Sequence, residues 1–135
     1  MGFLISCNEK VEVPKAHVII FFETYENQGI DIALNTIFQT NEYMVKQSQN
    51  DLQQLRESLH SLVNAIGNYH GYEIISEYSL GKSIMHFCCI VKYDIQPIRF
   101  NFTFYKPDNS WRLQNFNFDN SLITEMNDMA KYNYF

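Results

Sequence analysis

The chain has 135 residues, of which 46% are hydrophobic and 16% aromatic, and its formal net charge is −5. This length fits one domain, and so apolar a composition excludes a disordered chain. Because the 10 basic residues are scattered along the chain, we expect neither a nucleic-acid partner nor a polybasic membrane patch. No run of about 18 apolar residues is present, so no transmembrane segment is predicted.

Residues 1–13 form an N-terminal lead that contains the stretch LISC, which ends at Cys7. This stretch resembles the cleavage box of bacterial lipoproteins, in which the cysteine is lipidated. Only six residues precede Cys7, and they lack a basic region and a full apolar region. Two interpretations stay open. The lead is the remnant of a lipoprotein signal, with a lipid anchor at Cys7 of an exported or periplasmic protein, or it is the apolar N-terminus of a cytoplasmic protein.

Residues 14–135 are predicted to form a single α+β domain that begins with helices. Pro14 suits the first turn of a helix that runs to Gln28, and Gly29 suits its end. Asp31 is the predicted cap of a second, short helix. A third helix is expected between Asn41 and Ile66, because its second half repeats apolar residues at steps of three and four.

After Gly71 the apolar period changes to two, which is typical of strands. Four strands joined by short loops are predicted, at Tyr72–Ser79, Ile84–Tyr93, Ile98–Tyr105 and Trp111–Phe118. A short helix from Asp119 or Ser121 follows. The prediction is therefore an α+β fold, with N-terminal helices packed on a curved antiparallel four-stranded meander of the cystatin-like, cone-shaped kind, and a short C-terminal helix.

Phe100, Phe102 and Phe104 stand at every second position of the third strand, with polar residues between them. If Asp94–Pro97 is the loop before this strand, Cys89 faces Phe102 and the phenylalanines meet other apolar residues of the second strand. A slip of one residue would mix the two faces. The phenylalanines are therefore predicted to face the helices.

The fourth strand raises a conflict between its polar residues and this apolar face. If Tyr105 pairs with Trp111, then Arg112 and Gln114 point to the phenylalanine side. One explanation is a β-bulge near Asn115 that switches the faces. The other is a pocket between sheet and helices, with Arg112 and Gln114 as ligand-binding residues for a small polar or anionic group.

In that pocket, an arginine that meets apolar side chains would need a partner for its charge. Glu73 or Glu77 on the first strand could supply it, and Arg112 would then be structural.

The outer face of the sheet is predicted to carry an apolar patch. Tyr105, Trp111 and Leu113 lie there in the expected register, with Ile84 and His86 close by. Because an exposed patch of this kind suits a partner surface, we expect a homodimer with Tyr105, Trp111, Leu113 and His86 in its interface.

No metal or other cofactor is expected. The four histidines, at positions 17, 60, 70 and 86, do not occur at HxH or HxxxH spacing. Three cysteines without a CxxC pair predict neither a zinc site nor a disulfide framework.

The stretches GYEIISEYSLGKS and VKYDIQPIRFNFTFYKPDNSWRLQNFNF follow the predicted helices. This arrangement, over about residues 14–130, is similar to the nuclear-transport-factor-2-like superfamily, and in particular to its small bacterial members. The resemblance implies a cone that often holds a hydrophobic pocket, and an outer sheet face that often forms a homodimer. Enzymatic members carry an Asp/His or Asp/Tyr pair inside the cone. The second to fourth strands place no Asp or Glu on the inner face here.

Together these features predict a non-enzymatic small-ligand-binding or protein-interaction module that is dimeric. The alternative is a small pocket enzyme, a hydrolase or isomerase, that uses the cone cavity.

Overall fold

The computed structural model describes residues 13–133 of the chain. Four helices come first, α1 (Val13–Gln28), α2 (Ile30–Phe38), α3 (Glu42–Gln47) and α4 (Gln49–Ile66). Four strands follow, β1 (Tyr69–Leu80), β2 (Ile84–Tyr93), β3 (Pro97–Tyr105) and β4 (Arg112–Asp119), and then helix α5 (Leu122–Asn133). The strands pair antiparallel in the order β1-β2-β3-β4. The α+β fold class is confirmed.

The N-terminal lead lies almost entirely outside this range. Cys7, and with it the prediction of a lipid anchor, is outside the described residues. Within residues 13–133, no helix combines the length and the apolar character that crossing a bilayer requires.

The third helix expected between Asn41 and Ile66 is present as α4, but the range also contains the short helix α3, because the chain breaks at Ser48. Asn41 is the N-cap of α3, and its side-chain oxygen accepts hydrogen bonds from two backbone N–H groups. Helix α3 contains no buried residue, whereas α4 buries Leu52, Leu59 and Ile66. Only α4 therefore had the apolar periodicity that predicts a helix.

The aromatic row of β3 faces the helices, as predicted. The side chains of Phe100, Phe102 and Phe104 are all 0% exposed. Helix α1 covers them with Phe21 and Phe22, and the ring centroids of Phe21 and Phe102 lie 5.2 Å apart. The core of the protein therefore lies between α1 and the middle of the sheet.

The predicted pairing of β2 with β3 is wrong by two residues. Cys89 faces Phe100 rather than Phe102, and Pro97 already pairs with Lys92. The loop is thus shorter than the sequence suggested. Because side chains alternate with a period of two, a shift of two residues leaves both faces intact.

Strand β4 contains the β-bulge that the sequence analysis offered as one explanation. Thr103 pairs with Asn115, but the next residue of β3, Phe104, pairs with Leu113. Gln114 is the extra residue of the bulge. The predicted pairing of Tyr105 with Trp111 is wrong, because Tyr105 pairs with Arg112.

The bulge decides which side chains of β4 reach the core. Leu113 and Phe116 both face the helices, with exposures of 0% and 6%. Arg112 pairs with Tyr105 on the outer side instead, and Gln114 is exposed. The prediction that Arg112 and Gln114 point to the phenylalanine side of the sheet is therefore wrong, and so is the prediction of Leu113 as an interface residue.

Helix α5 is fixed to the outer side of the sheet through Arg99. The guanidinium group donates to both carboxylate oxygens of Asp119 at 3.0 Å, and to Glu125 of α5 at 2.5 and 2.7 Å. These hydrogen bonds raise the pKa of Arg99 and lower that of Glu125. The first turn of α5 therefore rests on an ion-pair network.

Candidate functional site

A polar cleft lies where β4 begins, between that strand and helix α3. Its volume is about 320 Å³. The residues that line it are Asn41, Tyr43, Met44, Gln47, Ser48, Arg112 and Gln114. Arg112 and Gln114, the two residues predicted to bind a ligand, thus share one cleft between the sheet and a helix, but their side chains do not face the phenylalanines as predicted. We call it the Arg112 cleft.

Asn41 joins the two walls of the cleft. Its side-chain Nδ2 donates to the backbone oxygen of Leu113 at 2.8 Å, while its Oδ1 caps α3 by accepting from Tyr43 N–H at 3.0 Å and Met44 N–H at 3.2 Å. Asn41 is buried, and all of these bonds use groups that would otherwise be left unpaired. The position of α3 against β4 is therefore well determined.

The Arg112 guanidinium group lies close to two aromatic rings. Its Cζ is 5.0 Å from the ring centroid of Tyr43 and 5.8 Å from that of Tyr105. A cation over an aromatic face is attracted by the negative charge of the π system, and arginine forms such contacts most often. Arg112 is held by stacking rather than by an ion pair.

No carboxylate within residues 13–133 forms a salt bridge with Arg112. The suggested pairing with the first strand is wrong. Glu77 bonds to Lys15 on α1 at 2.8 Å, and Glu73 lies 3.8 Å from Lys92. The positive charge of Arg112 is therefore not compensated by a neighbour in the described part of the chain.

The Arg112 side chain also has an unused hydrogen-bond donor. Its Nε atom is buried and has no hydrogen-bond partner within the described residues. A buried donor without a partner costs about 1–3 kcal/mol. The Arg112 side chain thus keeps one buried donor unpaired, and this donor is closed to a ligand in the cleft.

Arg56 shows the opposite arrangement. It lies in a groove of about 400 Å³ between α2 and α4. Its guanidinium group donates to the side-chain oxygens of Asn35 and Gln53 and lies over the ring of Phe38, 5.6 Å from the centroid. Because these bonds engage both of its terminal nitrogens, Arg56 is less suited to an external ligand than Arg112 is.

The four residues predicted for a dimer interface do not share one surface. His86 and Tyr105 lie on the outer face, with His86 Nδ1 2.9 Å from Thr103 Oγ1. Trp111 is half-buried at the edge of the core, under the ammonium group of Lys106 at 5.2 Å from the ring centroid. Leu113 is buried.

Sequence reasoning missed part of this outer face. Tyr78 and Leu80 of β1 pair with His86 and Ile84, and are 62% and 56% exposed. A row of neighbouring residues therefore crosses all four strands, in the order Leu80, Ile84, Tyr105 and Arg112. We call Tyr78, Leu80, Ile84, His86 and Tyr105 the outer patch. Tyr78 lies within the predicted first strand, and Leu80 could have been added to it by extending the period of two by one residue.

A group of phenols at the end of α1 was also missed, because its members lie far apart in the chain. The hydroxyl groups of Tyr25 and Tyr93 are 2.6 Å apart, and Tyr69 donates to Glu26 at 2.6 Å. Burial raises the pKa of Tyr25, Tyr69 and Tyr93. These phenols therefore stay protonated at neutral pH, so Tyr69 donates to Glu26 and one of Tyr25 and Tyr93 donates to the other.

The remaining titratable groups of residues 13–133 do not assemble a metal site. No group of three or more His, Cys, Asp or Glu within residues 13–133 could hold a metal ion. Burial raises the pKa of the Cys89 thiol to about 12 and that of Cys88 as well. Because the thiolate is the reactive form, these shifts disfavour reaction of both thiols near neutral pH.

In comparisons with protein-family models, with curated proteins and with solved structures, the chain has no match. The similarity to the nuclear-transport-factor-2-like superfamily therefore stays a prediction that rests on the order of helices and strands.

Proposed function

We propose that this protein is a non-enzymatic binding module that holds a small ligand with an anionic group in the Arg112 cleft. The observation that carries the proposal is the Arg112 side chain itself. It is a half-buried guanidinium group that stacks on Tyr43 and Tyr105, lacks a carboxylate partner within the described residues, and lines a polar cleft. An anionic ligand would compensate this charge with charge-assisted hydrogen bonds.

We also propose that the module forms a homodimer through the outer patch. The patch combines exposed apolar side chains on β1 with half-buried ones on β2 and β3. Covering such side chains is favourable because it removes apolar surface from water.

The alternative, a small pocket enzyme, draws on the acid–phenol contact between Glu26 and Tyr69. Burial first, and then this contact, raises the pKa of Tyr69, so the phenol is a weaker acid than a free one. The space between α1 and the sheet is filled by buried phenylalanines rather than by such a pair. Binding without chemistry therefore accounts for the structure better.

A fragment titration followed by NMR tests the ligand proposal. A set of small polar fragments, half of them anionic, is added to ¹⁵N-labelled protein, and the backbone amide shifts are recorded. We expect anionic fragments to move Gln47, Ser48 and Gln114, and we expect Arg112→Gln to abolish these shifts. Arg56→Gln is the matched control and should retain them. Shifts that survive Arg112→Gln, or that cluster at Arg56, would contradict the proposal.

A further inference from the structure

We infer that the anionic group bound in the Arg112 cleft is a carboxylate, held end-on by the two terminal nitrogens of the guanidinium group. This inference rests on the function proposed above and specifies the chemical class of the ligand. It follows from which edge of the Arg112 guanidinium group is free, from the number of positive charges that line the cleft, and from whether the backbone N–H groups at the start of α3 are free to bind a ligand.

An arginine offers two edges to a bidentate anion, one formed by Nε with one Nη, and one formed by both Nη atoms. In Arg112 the Nε atom is buried, so the first edge is closed to a ligand. The Nη atoms make no hydrogen bond to a residue of the described range. The free edge is therefore the Nη1–Nη2 edge, whose parallel N–H groups match the two oxygens of a carboxylate.

The charge of the cleft limits the charge of the ligand. Besides Arg112, the cleft is lined by Asn41, Tyr43, Met44, Gln47, Ser48 and Gln114, none of which is a cation. The chain as a whole carries a formal net charge of −5. One guanidinium group compensates one negative charge, which suits a carboxylate better than a doubly charged phosphoryl group.

Phosphoryl groups often bind instead to free backbone N–H groups at a helix N-terminus. Helix α3 begins at the cleft, but Asn41 Oδ1 already accepts from the N–H groups of Tyr43 and Met44. These donors are therefore engaged. The hydroxyl and amide side chains of Ser48, Gln47 and Gln114 can bond to further polar groups of the ligand, which points to a small hydrophilic carboxylic acid.

Three probes of similar size separate the possible ligand classes: acetate, methylphosphonate as its dianion, and acetamide. Each is titrated into ¹⁵N-labelled protein at constant ionic strength, and the backbone amides of Gln47, Ser48 and Gln114 are followed. We expect acetate to bind about tenfold more tightly than either other probe, since it alone matches both the charge and the free edge.

Variants of the arginine test the geometry. Arg112→Lys keeps the charge but loses the paired N–H groups, so acetate should bind about tenfold more weakly. Arg56→Lys is the matched control, and acetate binding should not change. Acetate binding that is equal in Arg112→Lys and wild type would overturn the inference.

The outcomes also separate this inference from the proposed function. If methylphosphonate binds in the cleft more tightly than acetate, the carboxylate inference is wrong and anion binding at Arg112 stands. If acetamide binds best, the inference and the anionic character of the ligand are both wrong. If no probe moves the amides of the cleft, the proposed function fails together with the inference.

Discussion

Phe102 lies at the centre of the aromatic core and contacts both the helices and the neighbouring strand. Its ring lies 5.2 Å from that of Phe21 on α1 and 5.1 Å from that of Phe116 on β4, and its side chain is 0% exposed. We predict that Phe102→Ala lowers the free energy of unfolding by about 3–5 kcal/mol, because it removes buried surface and leaves a cavity. Urea denaturation measures the change.

The control for this prediction is Ile95→Ala, in the loop between β2 and β3, where the side chain is 71% exposed. Surface substitutions change stability by less than about 0.5 kcal/mol. A Phe102→Ala protein as stable as the Ile95→Ala protein would show that the aromatic row is not the core.

The Asp94 side chain connects the turn after β2 to the turn between α4 and β1. It accepts a hydrogen bond from the backbone N–H of Asn68 at 2.7 Å and contacts His70 Nε2. The turn comes this close because Gly67, at φ 96°, has no side chain, and a Cβ atom there would lie 2.6 Å from Asp94. Any larger residue at position 67 would therefore displace Asp94.

These hydrogen bonds, first the one from Asn68 and then the one from His70, lower the pKa of Asp94. Folding thus favours the ionised form of Asp94. The contribution of this form to the free energy of unfolding is complete above the ordinary pKa of aspartate, about 4, and is lost as the pH falls through the lowered value. We predict that Asp94→Asn is less stable than wild type at pH 6, and that the difference shrinks at pH 2.5.

Asp108→Asn, in the exposed loop before β4, is the control, and its stability difference from wild type should be small at both pH values. A difference for Asp94→Asn that grows on acidification would contradict this assignment.

At the scale of elements, Asn41 links the start of α3 to the start of β4. It caps the helix and donates to the Leu113 carbonyl group, so one side chain satisfies three backbone groups. We predict that Asn41→Ala lowers the free energy of unfolding by about 2–4 kcal/mol, which combines the loss of a cap with an unpaired buried carbonyl group.

Asn41→Ser separates the two contributions. A serine can cap the helix, but its side chain is too short to replace the bond to Leu113, so its stability should lie between those of wild type and Asn41→Ala. Thermal unfolding of the three proteins gives the order. Equal stability of the Ser and Ala variants would mean that the cap contributes nothing.

The elements differ in how well the sequence predicted them. Strands β2 and β3 alternate clearly, since one face is buried, and their faces were predicted correctly even though their register was wrong by two residues. The period of two does not change under such a shift, so the pattern alone cannot distinguish the two pairings. Only the length of the loop before Pro97 decides between them.

The candidate site was predicted only in part, and the reason lies in the bulge. Arg112 and Gln114 could be selected because polar residues appeared where an apolar face was expected. A bulge depends on the fit of one strand to its neighbour and has no fixed sequence signal. The contact of Arg112 with Tyr43, across 69 positions of the chain, depends on the break between α3 and α4, which the apolar periodicity did not show.

At the scale of the whole molecule, the outer patch predicts self-association. Leu80 and Tyr78 are exposed on β1, an edge strand of the sheet, and continue into half-buried residues of β2 and β3. We predict a dimer in analytical ultracentrifugation, and a monomer for Leu80→Glu, because a charge in an apolar interface must be desolvated.

Ile32→Glu is the matched control for the dimer. Ile32 lies on α2 and is 45% exposed, but it is not part of the outer patch. The Ile32→Glu substitution should therefore leave the dimer intact. A wild-type protein that remains a monomer at high concentration, or a dimer that Leu80→Glu does not affect, would rule out this interface.

We propose that Arg112 is a fixed guanidinium group whose free edge binds an anion. The side-chain NMR signals of Arg112 provide the sharpest test, because they report on the group itself. We predict that its Nε–H exchanges slowly with water in the free protein, since this atom is buried, and that acetate slows rotation about the Nε–Cζ bond and shifts the Nη signals. Fast exchange of the Nε–H, together with Nη signals that acetate does not change, would contradict the account.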